Sequence, residues 1–363
     1  MFETYSRLAE RALRQQPPTH AESLWILDSP DVELLPLLQA AFVPREHHFG
    51  RTVMVHILNN VQSGHCGEDC GYCAQSKNST APIRKYPMKS DEEIFAEAEA
   101  AAKAGASRYC MALSGRGPSL AQTRKLAGLI REMKERYPIE LCLSMGFVDE
   151  ERARLLADAG LDRLNHNLNT SESHYREICS THSYGDRLRT LATAKKCGLE
   201  SCSGLIVGMG EKSQDIVEVA IQLRELEVAS IPVNFLIPIE GNQVQNDGSL
   251  TPERCLRVLC LMRFVNPTAE IRVAGGREGH LRSMQPFALY PANSLFVEGY
   301  LTTKGDPVQE TYAMIRDAGF EVDGNDFFRE LASRAASGEG TAPSQFRVPD
   351  GSDQLLKPEI ARA

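Results

Sequence analysis

Cys66, Cys70 and Cys73 fall within eight residues, in the run GHCGEDCGYCAQS. Three thiolates this close can hold an iron–sulfur cluster and leave one iron without a protein ligand. Clusters that only pass electrons are normally tied down by four cysteines, and structural zinc closes its tetrahedron in the same way. The next cysteine here is Cys110, well outside the run. The spacing therefore points to a cluster with an open coordination position, where a small molecule can be activated. A partial zinc knuckle or three unrelated thiols are the alternatives.

A second set of residues needs its own account: Cys110 in SRYCMAL, Cys142 in IELCLSM, Cys202 in LESCSGL and Arg272 in AEIRVAG, each in the middle of a β-like run. Successive side chains on a strand point to opposite faces. Cys110 lies between Tyr109 and Met111, Cys142 between Leu141 and Leu143, and Arg272 between Ile271 and Val273. The large apolar neighbours belong on a helix-covered face, so the cysteines and the arginine belong on the other. Any one of these cysteines, alone, is equally well a packing residue, because free cysteine is among the most buried types. Arg272 is different: it cannot lose its charge, and inside a protein it needs an anion, which a thiolate-ligated cluster or a substrate carboxylate would supply.

The elements that must position these residues are well punctuated. Ser90 with Glu93 and Ser119 with Gln122 form capping boxes, while Thr251-Pro252 and Asp306-Pro307 read as a cap followed by proline at the first helical position. Helices end at Ala104-Gly105, Ala159-Gly160, Cys197-Gly198 and Ala318-Gly319, where glycine can take the left-handed conformation. Between them the sequence predicts strands over 52–58, 107–113, 139–145, 161–168, 200–207, 230–236, 269–274 and 293–298. About eight alternating strands and helices imply an α/β fold, a (β/α)8 TIM-type barrel, whose chemistry gathers at the carboxyl ends of the strands. A doubly wound open sheet is the runner-up, but no glycine-rich dinucleotide fingerprint follows the first strand. In the barrel reading, the Cys66–Cys73 loop directly follows the first strand, at the catalytic mouth. The expected division is an N-terminal helical extension over 1–48, the barrel over 49–334 and a disordered tail over 335–363, where periodicity gives way to Gly, Ser, Pro and Asp.

Composition narrows the function. With 363 residues, 42% of them hydrophobic, the chain can bury a sizeable core. A formal charge of −8 and no basic run argue against nucleic acid as a partner. The amino terminus MFETYSRLAERALRQQ reads as an amphipathic surface helix with no apolar stretch for a signal peptide or membrane span. Ten cysteines without such a signal predict a reducing, cytoplasmic setting in which thiols serve metals or are simply buried. Cys179, Cys197, Cys255 and Cys260 lie in or beside helices and read as core or surface residues. The nine histidines show no H-x-x-x-H or H-E-x-x-H spacing, which disfavours a hydrolytic zinc site.

The C-x3-C-x2-C spacing with Tyr72 before the last cysteine is the signature of radical S-adenosylmethionine (SAM) enzymes, in which the cofactor occupies the open iron. Behind it, Gly204, Ile206, Gly208 and Glu211 form G-x-I-x-G-x-x-E at the end of the fifth strand, consistent with a site for the SAM adenine. From about residue 50 to 325 the chain resembles the biotin synthase family, with CGEDCGYCAQS, YCMALSGRGPS, LNHNLNTS, SCSGLIVGMGE, SIPVNFLIPI, IRVAGGRE and ANSLFVEGYLTT in the family's order. The resemblance implies that Cys66, Cys70 and Cys73 hold a [4Fe–4S] cluster, and that Cys110, Cys142, Cys202 and Arg272 hold a [2Fe–2S] cluster deeper in the barrel. It implies that Asn167 and Asn234 help bind SAM and the ureido ring of dethiobiotin. It also implies a homodimer, and an electron donor such as flavodoxin or ferredoxin.

The implied reaction is sulfur insertion: SAM cleavage yields a 5′-deoxyadenosyl radical, hydrogens leave unactivated carbons of dethiobiotin, and the second cluster donates sulfur. Two departures mark this chain. Where many family members read NHNLD it has Asn169, which can hydrogen-bond the cofactor ribose but carries no charge. Where they read CMGAAW it has CMALSGRGPS, which alters the loop beyond Cys110. A radical-SAM mutase or maturase would keep the first cluster and use the barrel cysteines loosely or not at all; an electron carrier or zinc-stabilised module would need neither the open position nor so large a barrel.

Overall fold

A computed structural model describes residues 2–323 apart from 246, 247 and 249. The expected tail over 335–363, and the last residues assigned to the barrel, lie outside the described residues.

Ten strands form one wholly parallel sheet: β1 (Thr52–Gln62), β2 (Arg108–Leu113), β3 (Glu140–Ser144), β4 (Arg163–Asn165), β5 (Glu200–Cys202), β6 (Leu205–Val207), β7 (Ser230–Phe235), β8 (Glu270–Val273), β9 (Ser294–Phe296) and β10 (Glu321–Asp323). Pairing of β9 with β1 closes the barrel, and β10 adds to the start of β1. The eight-stranded barrel expected from the sequence is therefore present, with two differences. The single strand predicted over 200–207 is broken in two, because the chain at Gly204 presses so closely on β7 that a Cβ there would lie 1.9 Å from the Pro232 carbonyl oxygen. The first strand also runs on to Gln62, carrying the cysteine loop farther out.

The helix signals act as read. Ser90 Oγ accepts from Glu93 N while the Glu93 carboxylate accepts from Ser90 N, and Ser119 and Gln122 repeat the pattern. Thr251 caps the helix Pro252–Val265. Gly105, Gly160, Gly198 and Gly319 all have positive φ after their helices. Asp306 is the exception: the helix Val308–Asp317 has Pro307 at its cap and no side-chain cap bond, and the Asp306 carboxylate instead accepts from Gln285.

Three helices precede the barrel: α1 (Phe2–Leu13), α2 (His20–Asp28) and α3 (Leu34–Phe49). The amphipathic α1 buries Tyr5, Leu8, Ala9 and Ala12. All three pack on the helix Pro252–Val265, which lies between them and the barrel and is buried from Cys255 to Val265. Cys255 and Cys260 are accordingly core residues. Among the described residues no helix is long and apolar enough to cross a membrane.

Candidate active site

The strand register brings the inner set together. Cys110 on β2 pairs with Cys142 on β3, and Asn165 on β4 pairs with Cys202 on β5. Cys110, Cys142 and Cys202 cluster with Ala274 and Phe296 inside the barrel, each at most 4% exposed, while Tyr109, Met111, Leu141 and Leu143 pack against the outer helices. The cysteines thus occupy the inner face that strand alternation predicts. The Cys142 thiol donates to both Cys110 and Cys202, and those hydrogen bonds, with Arg272 close by, favour the thiolate form of Cys110 and Cys202 while raising the pKa of Cys142. Asn165 Nδ2 adds a bond to Cys202 Sγ at 3.2 Å.

Arg272 also points inward, with a guanidinium nitrogen 3.8 Å from Cys202 Sγ and its carbon 5.0 Å from the centre of the Phe296 ring. The protein itself also supplies it with a counter-ion. Glu270, two residues earlier on β8 and therefore on the same face, accepts from Arg272 at 2.5 Å, from Arg163 at 2.7 Å, from Arg108 at 3.0 Å and from Ser294 at 2.8 Å; His56 Nε2 lies 2.9 Å away. Arg108 and Arg163 reach outward as well, to Glu140 and Glu200. Burial alone would raise the Glu270 pKa, but Arg272, His56 and Arg108 outweigh it and hold the carboxyl far below its usual range. His56 is pushed down to about 3 by burial and by Arg272. These residues form a charged floor at the amino-terminal end of the barrel, one layer below the cysteines. The repeat at i−2 is visible in the sequence, since Arg108, Glu140, Glu200 and Glu270 each precede an inner residue by two.

Above the inner set, a cavity of about 380 Å³ opens at the carboxyl ends of the strands, with Cys66, Cys70, Cys73, Cys110, Cys142 and Arg272 among its lining. The loop bearing the first three cysteines is tied to two neighbouring segments. Gly71 N donates to Ile178 O and Val244 N to Gly71 O, and a Cβ at Gly71 would come within 2.8 Å of Val244. The Asp69 carboxylate accepts from the backbone of Ser180 and Thr181, bonds that outweigh burial and keep its pKa well below normal. Glu68 accepts from Thr181 and His182 at 2.6 Å each and from Arg116 at 3.1 Å. Arg116 belongs to the SGRGPS segment that distinguishes this chain, so that loop braces the cysteine loop. Burial pushes the Cys73 thiol up to about 11. Cys179, a core or surface residue by its sequence context, is buried and has its sulfur 3.8 Å from that of Cys70.

The remaining singled-out residues divide. Tyr72, Asn167, Asn169, Ile206 and Asn234 line the cavity. Asn169 Nδ2 donates to the Tyr72 hydroxyl at 2.6 Å, and its backbone bonds Gly204 and Ile206. Asn167 Oδ1 accepts from Gly204 N, and the Asn234 amide spans Leu205 O and Gly275 N. Asn165 completes this file, and its alternation with Asn167 and Asn169 is the signal that identifies it. Gly204, Gly208 and Glu211 do not line the cavity. The Glu211 carboxylate accepts from Gly208 N and Met209 N at 2.7 Å each, closing the turn beyond β6, and Gly208 has φ +99°. Arg187, buried and bonded to Asn167 O at 2.8 Å, stands behind the asparagines and carried no sequence signal of its own.

The donor set suits two metal groups. Three thiols line the mouth; three more cluster at the base beside Arg272, whose Nε is buried with no hydrogen-bond partner among the described residues.

Known proteins share this sequence and fold. Residues 61–223 match the Radical SAM superfamily, and residues 232–321 match the Biotin and Thiamin Synthesis associated domain. In solved structures, methylornithine synthase shares the fold, with a TM-score of 0.76 over 89% of this chain and 99% of that one at 17% identity. Biotin synthase of Acaryochloris marina is 55% identical over 93% of this chain and 95% of its own length. Biotin synthase of Magnetococcus marinus is 58% identical over 87% of this chain and 98% of its own. With both cysteine sets gathered in one radical-SAM barrel and these relatives spanning nearly its whole length, the chain belongs to the biotin synthase family.

Proposed function

We propose that this chain converts dethiobiotin to biotin by radical sulfur insertion, with SAM, a [4Fe–4S] cluster and a [2Fe–2S] cluster as its cofactors. The observation that carries the reading is that one cavity joins two thiol sets, with Cys66, Cys70 and Cys73 at the mouth and Cys110, Cys142 and Arg272 at the base, where Cys202 packs beside them. The first set would hold the [4Fe–4S] cluster with one iron free for SAM, and the second would hold the [2Fe–2S] cluster. When bound, these groups supply a 5′-deoxyadenosyl radical and a sulfur atom.

The chain's own residues bind, orient and exclude water. Tyr72, Asn167, Asn169 and Ile206 line the space between the two sets and would contact SAM, while Asn234 would meet the ureido ring of the substrate. Gly204, Gly208 and Glu211 contribute by shape: they close the turn and bring β6 against β7, so that Ile206 faces the cavity. The Tyr72 hydroxyl fixes the Asn169 amide, so the uncharged residue at this position still presents a set orientation. Arg272 and the Cys142 hydrogen bonds lower the cost of thiolate charge in a buried site. A (β/α)8 wall around the cavity keeps reactive intermediates from solvent.

We further propose a cytoplasmic homodimer reduced by a flavodoxin or ferredoxin. Iron, sulfide and biotin measured after anaerobic reconstitution test the function. About six irons per chain with biotin formed from dethiobiotin support sulfur insertion, whereas about four irons and no biotin would indicate a single-cluster radical-SAM enzyme.

A further inference from the structure

Cys179 and His182 lie outside both thiol sets, yet they converge on Cys70. The Cys70 and Cys179 sulfurs are 3.8 Å apart, the His182 ring nitrogens lie 3.3 and 3.6 Å from Cys179 Sγ, and one donor atom from each of the three residues falls within 4.8 Å of the others. We propose that these three residues form a zinc site in the cluster-free chain, mutually exclusive with the iron–sulfur cluster because both claim Cys70.

Two of the three edges have the length of a zinc tetrahedron, and the third, from Cys70 to His182, lies within 4.8 Å. Two sulfurs at zinc–sulfur distances of about 2.3 Å sit about 3.8 Å apart, and a sulfur and an imidazole nitrogen about 3.6 Å apart. The His182 Nε2 to Cys179 Sγ distance of 3.6 Å matches that edge, and Nδ1, though nearer at 3.3 Å, is engaged by Glu68, so Nε2 is the nitrogen that would take the metal. Its other nitrogen, Nδ1, lies 2.6 Å from the Glu68 carboxylate, the outer contact that fixes tautomer and ring orientation in histidine–zinc sites. Two thiolates and one neutral imidazole offset the divalent charge, and the fourth position is left to water. Arg187 meets Nε2 at 3.0 Å and would give up that contact while keeping its bond to Asn167 O.

Two carboxylates hold the geometry in place from the loop side. Asp69 and Glu68 both bind Thr181, which fixes the segment carrying Cys179 and His182 against the loop carrying Cys70. Cys66 and Cys73 are not part of this group, so zinc and iron–sulfur assembly draw on different partners around one shared thiol. Zinc captured here would block assembly at the mouth without touching the inner thiols.

The test uses the full chain, stripped of clusters by chelation under reducing, oxygen-free conditions and titrated with zinc alone, then with cobalt as its coloured substitute. Wild type, Cys66→Ala and Cys73→Ala should bind one more zinc than Cys179→Ser, and the thiolate-to-cobalt band of Cys179→Ser should fall to about half or less. Zinc affinity in Cys179→Ser and in His182→Gln should drop at least about tenfold. Iron and sulfide loading of Cys179→Ser in the absence of zinc should match wild type, which separates a lost zinc site from a misfolded chain and from failure of the cluster assignment itself. If Cys179→Ser and His182→Gln bind zinc as wild type does, or if Cys66→Ala abolishes binding, the zinc belongs to the three motif thiols and the proposal is overturned.

Discussion

Glu270 and Arg272 face the barrel interior from positions two apart on β8 and meet at 2.5 Å, so the charge beside the inner thiols is already balanced by the protein. Arg108 and Arg163 share the same carboxylate, and the group behaves as one unit. Arg272 is held in place by Glu270 and by the Ser230 hydroxyl at 2.9 Å, and its guanidinium reaches to 3.8 Å from Cys202 Sγ.

Removing that carboxylate should be costly. Glu270→Gln leaves Arg272 without a carboxylate and Arg108 and Arg163 with only their outer partners Glu140 and Glu200, and loss of one partner from such a buried group typically costs ~3–5 kcal/mol. Chemical denaturation of the variant against wild type measures the loss; a change under about 1 kcal/mol would mean that the floor is not held by charge.

Arg272 itself separates charge from geometry. Arg272→Lys should retain part of the second-cluster occupancy and turnover, since a point charge still offsets thiolate and sulfide, whereas Arg272→Leu should lose both more severely. Side-by-side iron content, absorbance and biotin yield decide it, and equal values in Lys, Leu and wild type would remove Arg272 from the inner site.

The two thiol sets share no residue, so their defects should differ. Cys66→Ala, Cys70→Ala or Cys73→Ala should abolish reductive SAM cleavage, by more than the ~10–100-fold typical of losing an outer-shell partner, while the second cluster still assembles. The readout is 5′-deoxyadenosine; a wild-type rate in any of the three refutes the assignment of the open cluster.

Cys142→Ala or Cys202→Ala should show the reverse, with SAM cleavage retained and biotin formation lost. Normal biotin yield from a variant whose second-cluster absorbance is absent would refute the role of the inner thiols.

Glu298 gives a pH prediction. Burial raises its carboxyl pKa from 4.5 to about 7. The folded chain therefore holds this proton more tightly than the unfolded chain, so its contribution to stability is present below pH 4.5 and is lost as pH rises through about 7. Glu298→Gln should flatten stability across that window and raise Tm relative to wild type at pH 8 more than at pH 4, as thermal melts at both pH values would show. An unchanged pH slope would sink the assignment.

Strand phase made much of this site legible. Tyr109 and Met111 around Cys110, and Ile271 and Val273 around Arg272, are bulky enough to reveal which face is which, and the capping boxes at Ser90 and Ser119 mark the helices between. Glu270 is equally visible by phase, but a buried arginine asks only for an anion, and the sequence does not say whether the protein or a ligand supplies it. The contact of Cys70 with Cys179 joins residues 109 apart through two loops, where no periodicity exists to be read. The break in the fifth strand depends on how closely Gly204 approaches Pro232, a distance set by the neighbouring strand.

Ion pairs around Glu270 shut the lower end of the barrel, and the result is a well with one opening. Whatever reaches the depth of Cys142 passes the rim that carries the Cys66–Cys73 loop, and leaves the same way. The barrel is thus a blind-ended shaft, and the ion pairs that seal its foot also anchor Arg272 against Cys202.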